Sequence, residues 1–180
     1  GNVSWVKTIR GSDTSASGEL PSLSFVTTYF DTNGNLVFNG LANGGVVTDS
    51  HNLTLSTDDR RVFFASISPN GTWNWVLAPD SDDSMYGSYK LLENGGDRYV
   101  MFTCNRLSWA AGCGSTWVNI DGNNITIPSG HVMGFIAKIH NGNVSWVKTI
   151  RGSDTSASGE LPSLSFVTTY FDTNGNLVFN

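Results

Sequence analysis

Residues 135–150 read Phe135-Ile136-Ala137-Lys138-Ile139-His140-Asn141-Gly142-Asn143-Val144-Ser145-Trp146-Val147-Lys148-Thr149-Ile150. Two runs rich in β-branched and aromatic residues flank Asn-Gly, the dipeptide that most readily takes the two left-handed conformations of a tight hairpin turn. The stretch therefore predicts a pair of antiparallel strands. Downstream, residues 165–171 and 177–179 flank Thr173-Asn174-Gly175-Asn176, which predicts a second hairpin of the same kind. These four runs read as one four-stranded unit. Further upstream, strands are expected at 62–67, 73–77, 86–92 and 99–103, with a turn at Glu93-Asn94-Gly95-Gly96-Asp97. Nowhere do apolar residues recur at helical spacing over ten or more positions, so the chain is expected to be all-β.

The same stretch belongs to a repeat. Residues 1–39 return letter for letter as 142–180, a period of 141 residues. Solvent-facing positions drift quickly after duplication, so such identity implies recent or homogenised copies. The sequence opens inside the HNGNVSW turn and stops within NLVFN, which suggests a window on a tandem array.

A weaker repeat lies inside the period. Residues 63–76 align with 135–147, with Pro69 as the one insertion, and residues 52–56 align with 124–128. Trp75 and Trp146 are 71 residues apart. Each period thus holds two diverged units of about seventy residues. The expected division is 1–60 as the end of one unit, 61–131 as a second that carries the cysteines, and 132–180 as the start of the next. Between the hairpins lie RGSDTSASGELPS and APDSDDSMYG, polar enough to be surface loops.

Charged residues make up only 14% of the chain, and polarity comes instead from Asn, Ser, Thr and Gly, as in secreted β modules. The formal net charge is −5 and the ten Lys and Arg are scattered, so the electrostatic footprint of a nucleic-acid binder is missing. No apolar run reaches the eighteen residues that a membrane-spanning helix requires.

Cys104 and Cys113 occur once per period, in CNRLSWAAGC, and either pair or stay as buried thiols. The oxidising exterior suggested by the composition favours a disulfide, contributing roughly 2 to 3 kcal/mol in the chain-entropy model. Asp80, Asp82 and Asp83 form an oxygen-rich loop that either holds calcium or is a solvated acidic turn; no loop-closing Glu follows it. Calcium is the one cofactor the sequence brings into view. Trp109 and Trp117, in and just after the cysteine loop, have no counterpart in the other unit and are candidates for a subunit contact or a glycan platform.

His51, His131 and His140 are the only histidines, and none has a metal-ligand spacing to another or to a cysteine. No nucleophile elbow, phosphate loop or zinc pattern is present. The paired carboxylates of a glycosidase have no candidate either, so the chain is expected not to be an enzyme.

Gly134-Phe135-Ile136-Ala137-Lys138-Ile139, Asn141-Gly142-Asn143-Val144, Trp146-Val147-Lys148 and Asp172-Thr173-Asn174-Gly175-Asn176-Leu177-Val178-Phe179 together resemble the bacterial seven-bladed β-propeller-type repeat. Gly134 stands where that family has an acidic residue, and Asn39 and Gly40 where Thr-Gly is usual. The resemblance implies four-stranded antiparallel blade-like units, two per period; a β-sandwich array is the alternative. It also implies large secreted surface proteins of gliding bacteria that use type IX secretion, and adhesins or contact appendages, such as the hook-like fibres of predatory gliders, rather than enzymes.

Closing a propeller takes about four to eight blades, and one period supplies two. Several parallel chains contributing blades around an axis would make a stiff hollow shaft. The expected function is a structural repeat of an extracellular multimeric fibre or appendage, partnered by copies of itself. A glycan-binding adhesin repeat at the cell surface is the alternative.

Overall fold

The computed structural model describes residues 3–11, 23–43, 45–53, 60–82, 89–104, 115–128, 131–152 and 164–180. Among these the chain is all-β, arranged in small antiparallel sheets, and it divides into two compact units, Gly1–Asp80 and Ser81–Asn180. The strands of the first unit are β1 (Ile9–Gly11), β2 (Leu23–Phe30), β3 (Leu36–Asn43), β4 (Val46–Thr48), β5 (Asn52–Leu53), β6 (Arg60–Ile67) and β7 (Trp73–Leu77). Then follow β8 (Asp80–Ser81), β9 (Tyr89–Asn94), β10 (Asp97–Cys104), β11 (Trp117–Ile120), β12 (Asn123–Thr126), β13 (Val132–His140) and β14 (Asn143–Gly152). A last hairpin comprises β15 (Thr169–Phe171) and β16 (Leu177–Phe179).

The diverged repeat read from the sequence has a counterpart in every element. A four-stranded sheet of order β2-β3-β6-β7 matches one of order β9-β10-β13-β14, and a three-stranded sheet β1-β4-β5 matches β8-β11-β12. Even an irregularity recurs. The ladder shifts between Ser66 and Ile67 in the first sheet and between Lys138 and Ile139 in the second, leaving Asn74 and its counterpart Ser145 as the extra residues before Trp75 and Trp146.

Hydrogen bonding groups the hairpins differently from the sequence expectation. The hairpin β13-β14 joins β10 upstream, with Arg98 opposite Ile139 and Phe102 opposite Phe135, rather than the downstream hairpin β15-β16. Likewise β3 pairs with β6 from Leu36↔Ile67 to Asn43↔Arg60, so the first four-stranded sheet crosses the expected division at 60/61. A hairpin offers a free edge on each side, and local sequence does not say which edge finds a partner.

The turns follow their residues. Asn141 and Gly142 both have positive φ (49° and 82°), as do Asp121 and Gly122 (49° and 81°), so both loops are the tight mirror-image turns that match strand twist. The hairpin at Asp172-Thr173-Asn174-Gly175-Asn176 is different in kind. Only Gly175 is left-handed, and Asp172 accepts the Gly175 N–H at 3.0 Å while donating its own N–H to the Asn176 carbonyl at 2.9 Å. Its carboxylate also takes the N–H groups of Asn174 and Asn176, at 2.9 and 2.8 Å. This is a longer loop organised by an aspartate, with glycine at the bulge.

In the first unit the three-stranded sheet and one face of the four-stranded sheet share a core: Val46, Ile9 and Leu53 pack with Phe38, Phe63, Ala65, Ile67 and Trp73. Phe38 meets Phe63 and Trp73 edge-on, with ring centroids 6.3 and 6.1 Å apart. The central strand β6 is buried on both faces, since Val62 and Phe64 are covered as fully as Phe63 and Ala65. Strand β13 is the same, with Phe135, Ile136 and Ala137 all buried. Strands covered on both sides read as continuous apolar runs, which is how FFASI and GFIAKI stand in the sequence.

Candidate interaction surface

The first unit carries a cavity of about 250 Å3 over one face of its four-stranded sheet, lined among others by Trp5, Ile9, Phe25, Leu36, Phe38 and Trp73. Several large apolar side chains of this unit are open to solvent, Phe25 of the cavity lining among them. Phe25 is 54% exposed, Phe30 73%, Val3 78% and Val6 77%.

Trp5 is fixed by its indole N–H, donated to the Pro69 carbonyl at 2.9 Å, and by close approach to Gly71, whose φ is +83°. A β-carbon at Gly71 would lie 2.9 Å from the Trp5 ring. At the rim, Asp49 accepts hydrogen bonds from Lys7 and from the Trp73 indole N–H. The bond from Lys7, aided by its charge and by Trp73, holds the Asp49 carboxyl below the usual carboxylate range. A carboxylate kept ionised by two donors is a structural anchor and is not poised to take up a proton near neutral pH.

The letters that leave this face open in the first copy are covered in the second. Phe166, identical in sequence context to Phe25, is 3% exposed and packs with Met101 and Ile136, a cross-strand pair on β10 and β13. Trp146, Ile150 and Leu177, the counterparts of Trp5, Ile9 and Leu36, join the same cluster. Phe171, the counterpart of Phe30, lies edge-on to Tyr99 with centroids 5.0 Å apart. The approach depends on Gly134, where a β-carbon would lie 2.7 Å from Leu164 and 2.9 Å from Phe166. The glycine that departs from the resembling family's acidic residue is thus the position the second copy packs over.

Asp82 and Trp117, singled out separately in the sequence, meet. The Asp82 carboxylate accepts the Thr116 N–H at 2.7 Å, the Trp117 N–H at 3.3 Å and the Thr116 hydroxyl. Partial burial pushes its pKa up, but the three bonds outweigh this and hold it below the ordinary value. The aspartate ties the loop after β8 to the start of β11. Asp80 lies in β8, partly buried, while Asp83 lies outside the described residues. Among the described residues no group of three or more His, Cys, Asp or Glu is placed to hold a metal ion.

Trp117 is half-buried in β11, opposite Thr126, and Trp109 lies outside the described residues. Cys104, at the end of β10, is disulfide-bonded; Cys113, the other cysteine of the chain, lies outside the described residues. His140 bonds Asp97 through Nδ1 at 2.6 Å, and Lys138 reaches the same carboxylate at 2.7 Å. Those bonds, Lys138 first, hold Asp97 below the usual range. His51 contacts Ser50, at 2.9 Å. No helix among the described residues is long and apolar enough to cross a membrane.

The surface that sequence reasoning missed is the one around Phe25 and Phe30. Its signal was present as alternate apolar letters in both copies, but the letters are the same whether the face is open or covered. No family model, curated protein or solved structure matches this chain.

Proposed function

We propose that the chain is a non-enzymatic structural repeat of an extracellular multimeric fibre or appendage, built from stacked β units and used for attachment or contact at a cell surface. The observation that carries this reading is that the 39-residue string returns letter for letter after one period, its second copy packing Phe166 onto the β9-β10-β13-β14 sheet beside Met101 and Ile136. A sheet whose face is completed by the start of the next sequence period is suited to growth along one direction, since each added period repeats the same contact. The meander β9-β10-β13-β14 and its counterpart β2-β3-β6-β7 support a blade-like reading of the units, in keeping with the resemblance to bacterial propeller-type repeats. Central strands covered on both faces support face-to-face stacking of such blades.

Electron microscopy of the native material tests the proposal. Filaments with an axial repeat set by the 141-residue period are expected. Compact single-chain particles with no continuity along an axis would refute it.

A further inference from the structure

Five turns of the described residues carry Asn-Gly: Asn33-Gly34, Asn70-Gly71, Asn94-Gly95, Asn141-Gly142 and Asn174-Gly175. In such a pair the glycine nitrogen, unshielded by any side chain, can reach the asparagine side-chain carbonyl carbon. What differs among the five is what holds that nitrogen. The N–H groups of Gly34, Gly71 and Gly175 donate to the carbonyls of Asp31, Ser68 and Asp172, at 2.9, 2.9 and 3.0 Å. Those of Gly95 and Gly142 make no hydrogen bond among the described residues. The reason is the turn. Asn94 stands opposite Asp97, and His140 opposite Asn143, so each loop is two residues long. A loop of that length pairs the residues on either side of it and leaves its two central N–H groups to water.

Asn141 alone has an acid–base group on its amide. Its side-chain nitrogen lies 3.1 Å from His140 Nε2, and Nδ1 of the same ring lies 2.6 Å from the Asp97 carboxylate. A carboxylate behind an imidazole orients the ring and stabilises its protonated form. Lys138 holds the same carboxylate at 2.7 Å, and Asp121, which accepts the Val144 N–H at 3.3 Å, is the other charge beside the turn. The His140 side chain is 57% exposed, so water reaches it. The Asn94 side chain makes no hydrogen bond among the described residues. In the diverged counterpart of the His140 turn, Ser68 stands where His140 does, and Asn70 Oδ1 takes the Thr72 N–H at 3.2 Å.

We propose that Asn141-Gly142 is a site of spontaneous covalent modification in the folded chain, at which His140 assists the loss of the Asn141 amide as ammonia. The Gly142 nitrogen bonds to the Asn141 side-chain carbonyl carbon and gives its proton to water. His140, as imidazolium, hands its Nε2 proton to the amide nitrogen. The carbon–nitrogen bond breaks with its electron pair on nitrogen, ammonia leaves, and the ring regains a proton from water. A five-membered cyclic imide of Asn141 and Gly142 remains. Water then opens the imide at either carbonyl, giving aspartate or isoaspartate. Both products add a carboxylate near Asp97. Isoaspartate also lengthens the main chain by one carbon in a loop that admits two residues, which loosens the β13-β14 hairpin. The site does not depend on the fibre reading.

The experiment holds the full chain folded in neutral buffer and follows each Asn-Gly pair by peptide mass spectrometry, with isoaspartate identified by enzymatic methylation. Asn141 is expected to convert roughly tenfold faster than Asn33, Asn70 and Asn174, and faster than Asn94, which shares the free glycine N–H but not the imidazole. In the urea-unfolded chain the five pairs should convert at similar rates. His140→Ala, at an exposed position, should keep the melting temperature, slow Asn141 roughly tenfold and leave the other four pairs unchanged. Imidazole added to the buffer should restore part of that rate, which a histidine that only shapes the turn would not permit. Conversion at Asn141 no faster than at Asn33 or Asn174 overturns the proposal. So does a rate that His140→Ala leaves unchanged or raises, or one that added imidazole does not restore.

Discussion

Phe25 and Phe166 are the same letter in the same 39-residue string, yet the first is 54% exposed and the second 3%. Each keeps the same nearest aromatic neighbour. Phe25 lies 5.5 Å from Phe38, and Phe166 lies 5.7 Å from Phe179. The difference comes from Met101, Ile136 and Gly134, which lie against Phe166.

The pair Phe38 and Phe179 shows the converse, because Phe38 is 3% exposed and Phe179 38%. Phe38→Ala is expected to cost about 3–5 kcal/mol, the range for emptying a packed aromatic site. Phe179→Ala should cost less than about 2 kcal/mol, since little water-free surface is lost. Urea unfolding of the two variants checks this; equal losses would contradict the packing described.

Gly71 and Gly95 both have positive φ, at 83° and 60°. A β-carbon at Gly95 meets nothing within 4 Å, whereas at Gly71 it meets the Trp5 ring. Gly95→Ala is expected to cost only the backbone strain, about 1 kcal/mol. Gly71→Ala should add about 1–3 kcal/mol for the clash and disturb the Trp5 fluorescence environment. A Trp5→Phe background would remove part of that excess.

Asp82 has its carboxyl held below the 3.8 of an ordinary aspartate. A folded-state pKa that is depressed contributes stability that is complete above the unfolded value and is lost as pH falls through the folded one. Asp82→Asn is therefore expected to cost about 1 kcal/mol near pH 7, a charged hydrogen bond discounted for its partial exposure. The gap from the unmodified chain should vanish at pH values below the folded pKa. A gap that persists undiminished in acid would show that the loss is not carried by the ionised carboxylate.

Cys104 is disulfide-bonded and the sequence holds one other cysteine. Alkylation of the unreduced, denatured chain is expected to leave both unmodified by mass. Reduction should lower stability by about 2–3 kcal/mol, the chain-entropy value for a short loop. Two alkylated thiols without prior reduction would rule the bond out.

Much of the local structure was legible in the letters. Asn141-Gly142 announced a hairpin and formed one, with His140 opposite Asn143. The repeat of 52–56 at 124–128 marked β5 and β12, although strands that short carry too few alternations to be read as strands. The hairpin expected across Thr173-Asn174-Gly175-Asn176 forms, but the part its aspartate plays is not legible, because that carboxylate's bonds are side-chain bonds that a turn dipeptide does not encode. For Asp82 the letters leave calcium and a solvated acidic turn both open. Its carboxylate bonds groups 34 and 35 residues away, a pairing that only the fold creates.

By itself the sequence determined strand, turn and repeat, because φ preferences and alternation act over a few residues and act alike wherever the same letters occur. The turns at Asp31 and Asp172 and the bonds from Thr27 and Thr168 are the same in both copies for that reason. Tertiary structure alone decided which hairpin edges pair and which aromatic face is covered. Burial depends on what another part of the chain brings to a surface, so one string of 39 letters stands open around Phe25 and closed around Phe166.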